Sequence, residues 1–210
     1  MAALIISETR EVDKRLAQYF NSTRDQWIDV VKACVAGRGG CTANNAKSAP
    51  GYYAWDSGIR RMREIFGREG YENADEDGIE IIINRELKKK ITVMNADVGT
   101  ADKTRSPRNR TPKGPAAEKV VDLNDQLEMF KRHETSKRPK DPNAMWYLCV
   151  HDDGTTVRAE LSRPIEFKSN YFVKFSERIF IIGPGDWEKI AIAAPPADAG
   201  PDLKIDVRRK

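Results

Sequence analysis

The spacing of apolar residues in this 210-residue chain changes near residue 79, and that change limits the folds the chain can adopt. Before it, apolar residues recur three and four positions apart, as they do on one face of an amphipathic helix. After it, short runs rich in β-branched and aromatic residues are separated by turn residues, which is typical of strands. Helices first and strands later predict an α+β fold, with N-terminal helices followed by a mainly antiparallel β-sheet.

Three helices are predicted in the first third of the chain. The first has Val12, Leu16, Tyr19 and Phe20 on one face. The second ends near Gly37, because glycine commonly terminates helices. The third, whose apolar face begins at Trp55, has the clearest helical pattern. A loop of small residues, GRGGCTANNAKSAPG, connects the second helix to the third.

The later part of the chain predicts two hairpins. The runs 79–84 and 90–95 flank a polar turn, and the runs 145–151 and 156–162 flank an Asp-Asp-Gly turn. A short helix is predicted over 118–130 from its apolar spacing. We see no alternating strand–helix–strand order. Further strand candidates have the sequences YFVKF, RIFII and KIAIA, and LKIDVRR (residues 203–209) is a candidate edge strand.

Three regions are distinguished, and we expect them to form one compact domain. Residues 1–96 hold the helices and the first hairpin, residues 97–142 form a basic, proline-rich loop with a short helix and a tether, and residues 143–210 form an antiparallel β region. A chain of this length buries about 70% of its unfolded surface, which is enough for a core without disulfides.

Several protein classes are excluded by composition. Three cysteines in a chain of this length do not indicate a disulfide framework. No apolar run approaches the ~18 residues needed to cross a bilayer, and the N-terminal segment lacks the basic start of a signal peptide. We therefore expect a soluble, cytoplasmic protein with no membrane partner.

The excess positive charge of +4 is confined to the middle of the sequence. Residues 1–100 carry 15 basic and 15 acidic side chains, residues 101–140 carry 11 and 6, and residues 141–210 carry 10 and 11. Both basic clusters in the middle region contain prolines and few apolar residues, which predicts loops. The first cluster comprises Lys103, Arg105, Arg108, Arg110 and Lys113. The second comprises Lys131, Arg132, Lys137, Arg138 and Lys140.

The first basic cluster predicts binding to nucleic acid or to a nucleoprotein complex. Cations spaced along an extended, proline-stiffened segment can each contact a phosphate, which gives salt-sensitive binding. Two other interpretations stay open at this point. In the first, the segment is a solubilising surface loop that binds nothing. In the second, it contacts an acidic protein partner.

A second basic patch is predicted on the third helix. Tyr52 and Tyr53 precede this helix and Trp55 opens it, so aromatic rings and arginines together would suit stacking on bases and contact with phosphates. Trp55 also belongs to the apolar face, which favours a place in the core. The basic members of this patch are Arg60, Arg61 and Arg63.

A metal-dependent nuclease is the alternative function. Such enzymes hold Mg²⁺ with two carboxylates and place a lysine near the attacking water. Restriction-type nucleases carry one carboxylate and the lysine as an E-x-K triplet on a strand. Here the triplet of Glu86 and Lys88 falls in a predicted turn, so a solvated turn is the competing interpretation. The candidate catalytic residues are Asp77, Glu80, Glu86 and Lys88.

Acidic residues beside two predicted turns are candidates for a metal site. Turn chemistry explains the Asp-Asp-Gly sequence better, because aspartate tolerates the left-handed conformation and glycine supplies it. The cysteines and histidines show no zinc-ligand spacing. We therefore expect no metal and no cofactor. The acidic candidates are Asp97 and Asp102, with His151, Asp152 and Asp153.

From about residue 50 onwards, the chain resembles small, uncharacterised accessory proteins of proteobacterial phages, plasmids and integrated elements. The resemblance is carried by the segments GYYAWDSGIRRMREIF and ITVMNADVGTADKTRSPRNRTPKGPAAEK, the hairpin WYLCVHDDGTTVRAELS and the segment ERIFIIGPGDW. It implies nucleic-acid handling or counter-defence, including inhibition of host CRISPR complexes or restriction enzymes. It assigns no functional residue.

Together these patterns predict a non-catalytic nucleic-acid-binding or ribonucleoprotein-binding accessory protein of a mobile element. In that setting an anti-CRISPR or anti-restriction role is expected. The phosphate contacts are assigned to the first basic cluster, with the arginines of the third helix as a second contact surface.

Overall fold

The computed structural model describes residues 3–132 and 142–193. Within those ranges the chain forms seven strands and five helices. The strands are β1 (Leu4–Ile6), β2 (Glu72–Glu76), β3 (Ile79–Asn84), β4 (Lys89–Asn95), β5 (Ala144–Asp152), β6 (Val157–Lys168) and β7 (Tyr171–Ile182). The helices are α1 (Thr9–Phe20), α2 (Arg24–Gly39), α3 (Ala49–Phe66), α4 (Pro115–Arg132) and α5 (Asp186–Ala193).

All seven strands belong to one mixed sheet in the order β1-β7-β6-β5-β4-β3-β2. The pairs β1–β7 and β4–β5 are parallel and the other four pairs are antiparallel. The prediction of a mixed α+β fold is confirmed, but the prediction of a mainly antiparallel sheet is wrong. The connection from β4 to β5 contains α4 and is long enough to carry the chain back to a parallel pairing.

Helices lie on both faces of the sheet. They are not all N-terminal, because α4 lies between β4 and β5, where the short helix over 118–130 was predicted, and α5 follows β7. The core on one face unites α1, α2 and α3 with the sheet, and the core on the other face unites α4 with it. In β5, Trp146 and Leu148 belong to the first core, whereas Tyr147 and Cys149 belong to the second. Every residue of this strand is buried, as expected where both faces of a sheet are covered.

The three N-terminal helices form where the apolar spacing predicts them. Val12, Leu16 and Phe20 are buried on one face of α1, whereas Tyr19, which was predicted on the same face, is 42% exposed. At the start of α2, the Thr23 hydroxyl accepts the N–H of Gln26 while the Gln26 side chain accepts the N–H of Thr23, which is a capping box. These local signals explain why the helices could be read from the sequence.

A glycine lets α3 pack closely against α2 and the sheet. A Cβ added at Gly58 would lie 2.4 Å from Cys34 Sγ and 3.2 Å from Val93 Cγ1. Any larger side chain there would push α3 away from its neighbours, because protein interiors are close-packed. The first turn of α3 forms one wall of the groove described below.

The hairpins β3–β4 and β5–β6 confirm both predicted turns. The polar edge strand β2 and the three-residue strand β1 are additional to the predicted strands. The run KIAIA lies in α5 and not in a strand, because a Gly-Pro-Gly turn ends β7 and Asp186 accepts the N–H of Gly183 just before the helix. The candidate strand 203–209 and most of the second basic cluster lie outside the described residues.

No helix within the described ranges is long and apolar enough to span a membrane.

Candidate nucleic-acid interface

The segment 97–114, which we call the basic loop, is anchored to the sheet by a buried ion pair. Glu160 on β6 is fully buried and Arg178 on β7 is 2% exposed. Arg178 Nη2 lies 2.7 Å from Glu160 Oε2, and Arg178 Nε lies 2.8 Å from Glu160 Oε1. The same guanidinium donates to three backbone carbonyls of the loop, those of Gly99, Asp102 and Arg105, at 3.1, 3.0 and 2.8 Å.

Further hydrogen bonds hold the ends of the basic loop. Asp97 Oδ1 accepts the N–H groups of Gly99 and Arg108, both at 3.0 Å. The Asn109 amide oxygen accepts the N–H of Phe172 at 3.0 Å. The Asp97 carboxylate therefore shapes the loop, and the whole segment is fixed by backbone contacts despite its polar sequence.

A groove of about 570 Å³ opens between the basic loop and the first turn of α3. No Asp or Glu is among the residues that line it in the described part of the chain. Its side chains come from the end of α2, the loop before α3, α3 itself and the basic loop. We call it the basic groove and define it by Arg38, Lys47, Tyr52, Trp55, Arg110 and Lys113.

Both walls of the basic groove are held by hydrogen bonds to the end of β4 or to the turn between β6 and β7. On one side, the Asn95 side-chain amide at the end of β4 donates to the Gly51 carbonyl in α3 at 2.8 Å. On the other side, the N–H of Arg110 donates to the Asn95 carbonyl at 3.1 Å, and the N–H of Lys113 donates to the Asn170 carbonyl at 3.0 Å. The end of β4 thus fixes α3 and the basic loop relative to each other.

The cations of the basic groove differ in how they are neutralised. Arg38 Nε lies 3.3 Å from Asp152 Oδ2. Among the described residues, Lys47, Arg110 and Lys113 have no carboxylate within ion-pair distance. Burial lowers the pKa of Lys113, because the charged ammonium loses hydration there. Three positive charges are therefore available to an anionic ligand.

Aromatic surface lies beside these cations. Tyr52 is 57% exposed, and its ring centroid lies 5.9 Å from that of Trp55. Trp55 is half-buried and also packs against the core under α3. The neighbouring Tyr53 is exposed but does not line the basic groove. Tyr52 and Trp55 therefore give this groove a surface on which a planar group can stack.

The predicted cations of the first basic cluster have different surroundings. Arg110 and Lys113 line the basic groove. Arg105 contacts Asp102 at 3.3 Å, and Arg108 stacks over the ring of Tyr171 at 3.8 Å from its centroid. The fifth member, Lys103, lines a separate cavity that also contains Asp102 and Asp186.

The predicted second patch on α3 consists of paired cations. Arg60 contacts Glu64 at 3.7 Å. Arg61 contacts both Glu64 and Asp29, at 3.3 and 3.5 Å. Arg63 Nη2 contacts Glu80 Oε2 at 2.5 Å. None of these three arginines lines the basic groove.

The structure separates the four candidate nuclease residues. Asp77 lies in the turn between β2 and β3 and contacts Lys119 at 2.9 Å, while Glu80 on β3 contacts Arg63. Glu86 and Lys88 lie in the turn between β3 and β4, so most of the length of β3 stands between the two pairs. Within the described ranges, no group of three or more His, Cys, Asp and Glu side chains is arranged to hold a metal.

The remaining acidic candidates hold turns. The pKa of Asp102 lies well below its usual range, because the hydroxyl and the N–H of Thr104 donate to its carboxylate. The pKa of Asp153 is lowered in the same way by the N–H of Thr156. His151 is buried, with Nε2 3.4 Å from Asp153 Oδ2. The turn interpretation of the Asp-Asp-Gly sequence is confirmed.

Four residues of this region were not singled out from the sequence as functional. Arg38 and Lys47 lie within the small-residue loop segment 37–51, and the eight uncharged residues between them were the available signal. Glu160 and Arg178 stand inside apolar strand sequences, where a charged residue can face either solvent or a buried partner. The sequence alone does not distinguish those two outcomes.

Comparison with protein-family models, with curated protein sequences and with solved structures found no match to this chain.

Proposed function

We propose that this protein is a non-catalytic binder of nucleic acid and that the basic groove is its contact surface. The observation that carries the proposal is the convergence of four cations and two aromatic side chains on one groove lined by no described carboxylate. Phosphates are bound by such cations, and bases stack on such rings.

The free charge in the groove supports an anionic ligand. Lys47, Arg110 and Lys113 lack carboxylate partners among the described residues. Partial burial makes the charge on Lys113 costly, as its lowered pKa indicates. A bound phosphate offsets that cost, because an opposite charge favours the ammonium form.

The anchoring of the basic loop supports tight binding. Arg178 and Glu160 hold the backbone of residues 99–105 through buried hydrogen bonds. The N–H groups of Arg110 and Lys113 donate to the Asn95 and Asn170 carbonyls, so both residues are positioned before the ligand arrives. A ligand that meets an ordered loop does not have to order it, and this lowers the entropic cost of association.

Salt-dependent binding tests the proposal directly. We would measure fluorescence anisotropy with labelled single- and double-stranded DNA and RNA, at about 50 and 200 mM salt. The groove variant carries Lys47→Ala, Arg110→Ala and Lys113→Ala. The control variant carries Arg60→Ala, Arg85→Ala and Lys189→Ala, which remove the same charge from exposed positions outside the groove.

We expect the groove variant to bind at least about tenfold more weakly. Its plot of log K against log salt should be less steep, with a slope smaller in magnitude by about 2. The control variant should change little in either quantity. Equal losses in the two variants, or no binding by the unaltered protein, would contradict the proposal. Each binding reaction is repeated with Mg²⁺ and run on a denaturing gel. Mg²⁺-dependent fragments would favour the nuclease function instead.

The resemblance to mobile-element accessory proteins gives the proposal a biological setting. A protein that covers a guide RNA or a target DNA blocks a nucleic-acid-directed host enzyme by occupancy, without any catalysis.

An acidic protein would engage the same cations. It would compete with the labelled nucleic acid, and its complex would form in the absence of nucleic acid.

A further inference from the structure

We propose that the basic groove takes single-stranded nucleic acid, with one unpaired base placed against Tyr52 and Trp55. This inference rests on the proposed function and adds the strandedness of the ligand. It follows from the size of the groove, from the exposed aromatic surface and from the placement of the cations.

The size of the groove fits one nucleotide unit. Its volume of about 570 Å³ lies within the range of about 300–1,000 Å³ that small-molecule sites occupy. A duplex is far wider than such a concavity and would meet only its rim. A single strand can direct one base inward while its backbone passes over the rim.

The aromatic surface selects for an unpaired base. Tyr52 exposes 57% of its surface, although it lies in the first turns of an ordered helix and next to Trp55. Within a duplex, the faces of the bases are stacked on one another and are not available to a side chain. Stacking on a protein ring therefore requires a base that has left the stack or a strand that is unpaired.

The cations are placed to follow a strand across the groove. Arg38 lies in the last turn of α2 and Lys47 in the loop before α3, whereas Arg110 and Lys113 come from the basic loop. Arg38 is already paired with Asp152, so Lys47 is the cation that the segment before α3 offers to one phosphate, and Arg110 and Lys113 are those that the basic loop offers to the next. Hydrogen bonds of Asn95 to both walls keep that spacing fixed.

Neighbouring tyrosines supply a matched test. Tyr52→Ala removes the exposed ring in the groove. Tyr53→Ala removes a second exposed ring, which contacts the edge of Tyr52 at 5.6 Å between centroids but does not line the groove. The probes are a labelled single strand of about 12 nucleotides and the duplex of the same sequence, each as DNA and as RNA. Adenosine monophosphate is added as a competitor to distinguish a strand from a free nucleotide.

We expect the unaltered protein to bind the single strand at least about tenfold more tightly than the duplex. Tyr52→Ala should weaken single-strand binding about fivefold or more, the range found for loss of one base stack, without changing the salt slope. Tyr53→Ala should stay within about twofold. Adenosine monophosphate should not displace the strand when it is present at comparable concentration.

Four results would overturn the inference: equal affinity for strand and duplex, equal effects of the two tyrosine variants, a changed salt slope in Tyr52→Ala, or displacement of the strand by the free nucleotide at comparable concentration. Salt-sensitive binding without strand preference would leave the proposed function standing and remove only this inference. Absence of binding to every nucleic acid would remove both.

Discussion

Two cation-rich surfaces of this molecule look alike in sequence and differ in structure. The arginines of α3 each lie within 4 Å of a glutamate, and one of them also contacts Asp29. In the basic groove, three of four cations have no carboxylate partner among the described residues. The number of positive residues in a segment therefore says little about how much positive charge a ligand meets.

The origin of this difference is local. On α3, Glu64 lies four residues after Arg60 and three after Arg61, where side chains of a helix face each other. The basic loop has no acid between Asp102 and Glu118. Its backbone is held by contacts to a buried ion pair, and of its own cations Arg105 is paired with Asp102. Anchoring through the backbone leaves the side chains of Arg110 and Lys113 available.

Breaking the buried ion pair between Arg178 and Glu160 has the largest expected effect on stability and on binding. Arg178→Met leaves Glu160 buried without its partner, so we expect the free energy of unfolding to fall by about 3–5 kcal/mol. The basic loop also loses three carbonyl contacts. Nucleic-acid affinity should fall at least about tenfold although no groove side chain changes. Urea unfolding and anisotropy measure the two effects.

Another ion pair on β7 provides the control for this variant. Arg15 makes two hydrogen bonds to Glu177, at 2.6 and 2.7 Å, and touches no part of the basic loop. Arg15→Met should lower stability and leave binding unchanged. Should Arg178→Met fail to fold, Glu160→Gln offers a milder change at the same anchor. Binding that falls equally in the Arg15 and anchor variants would show that stability, not loop position, controls affinity.

A smaller effect is expected from one added methyl group in the basic loop. A Cβ at Gly99 would lie 2.4 Å from the Ser106 carbonyl oxygen, so Gly99→Ala must displace loop backbone. We expect a loss of about 1–3 kcal/mol in stability, as for other overpacked sites, and weaker binding. Gly114→Ala in the same loop meets nothing within 4 Å and should change neither quantity. Identical behaviour of the two variants would mean that loop shape does not set affinity.

The charge on Lys113 should make nucleic-acid binding by the basic groove depend on pH. Its pKa is below the ordinary value of 10.5 because of burial, so the ammonium deprotonates earlier than exposed lysines as pH rises. Binding should weaken through that window by up to about tenfold, since a hydrogen bond to a charged group contributes about 1.5 kcal/mol. Lys113→Arg, which stays charged, should not show this loss. A ratio of the two affinities that stays flat with pH would rule out the role of Lys113.

As pH rises, the contribution of Lys113 to the stability of the ligand-free protein should change in the opposite direction to its contribution to nucleic-acid affinity. Between the lowered pKa of Lys113 and 10.5, the unfolded chain binds more protons than the folded chain. The contribution of Lys113 to the free energy of unfolding therefore rises with pH across this window in the absence of ligand. Bound nucleic acid favours the protonated form and should reduce that rise. Urea unfolding at several pH values, with and without nucleic acid, measures it.

Much of the fold followed from local signals in the sequence. The apolar spacing predicted α3, and the turn residues predicted the β3–β4 and β5–β6 hairpins. The parallel pairing of β4 with β5 was not predictable in this way, because it depends on a crossover through α4 and on burial of both sheet faces. Strand β2 escaped prediction because an edge strand needs no apolar alternation.

The candidate site was less predictable than the fold. Arg110 and Lys113 were predicted to contact phosphate as members of the basic cluster, and Tyr52 was noted with Tyr53 as a candidate stacking residue. Arg38 and Lys47 reach the same groove only because α2 and α3 pack together in three dimensions. Which cations are neutralised also depends on tertiary neighbours such as Asp29 and Glu80, and no spacing rule within α3 identifies these.

Removing the paired arginines should have the smallest effect of all. We expect Arg60→Ala/Arg61→Ala to change single-strand affinity by less than about twofold, because exposed ion pairs contribute only about 0–1 kcal/mol and this patch lies outside the groove. The informative partner is Asp29→Asn/Glu64→Gln, which keeps both arginines and removes their acids. If the ion pairs are what keep these arginines from contributing to binding, this variant should bind single strands more tightly at low salt. Its affinity should also fall more steeply as salt is added. If neither variant differs from the unaltered protein, distance from the groove and not neutralisation keeps α3 out of the interface. A tenfold loss in the arginine variant would instead make α3 part of the interface and end the distinction between the two surfaces.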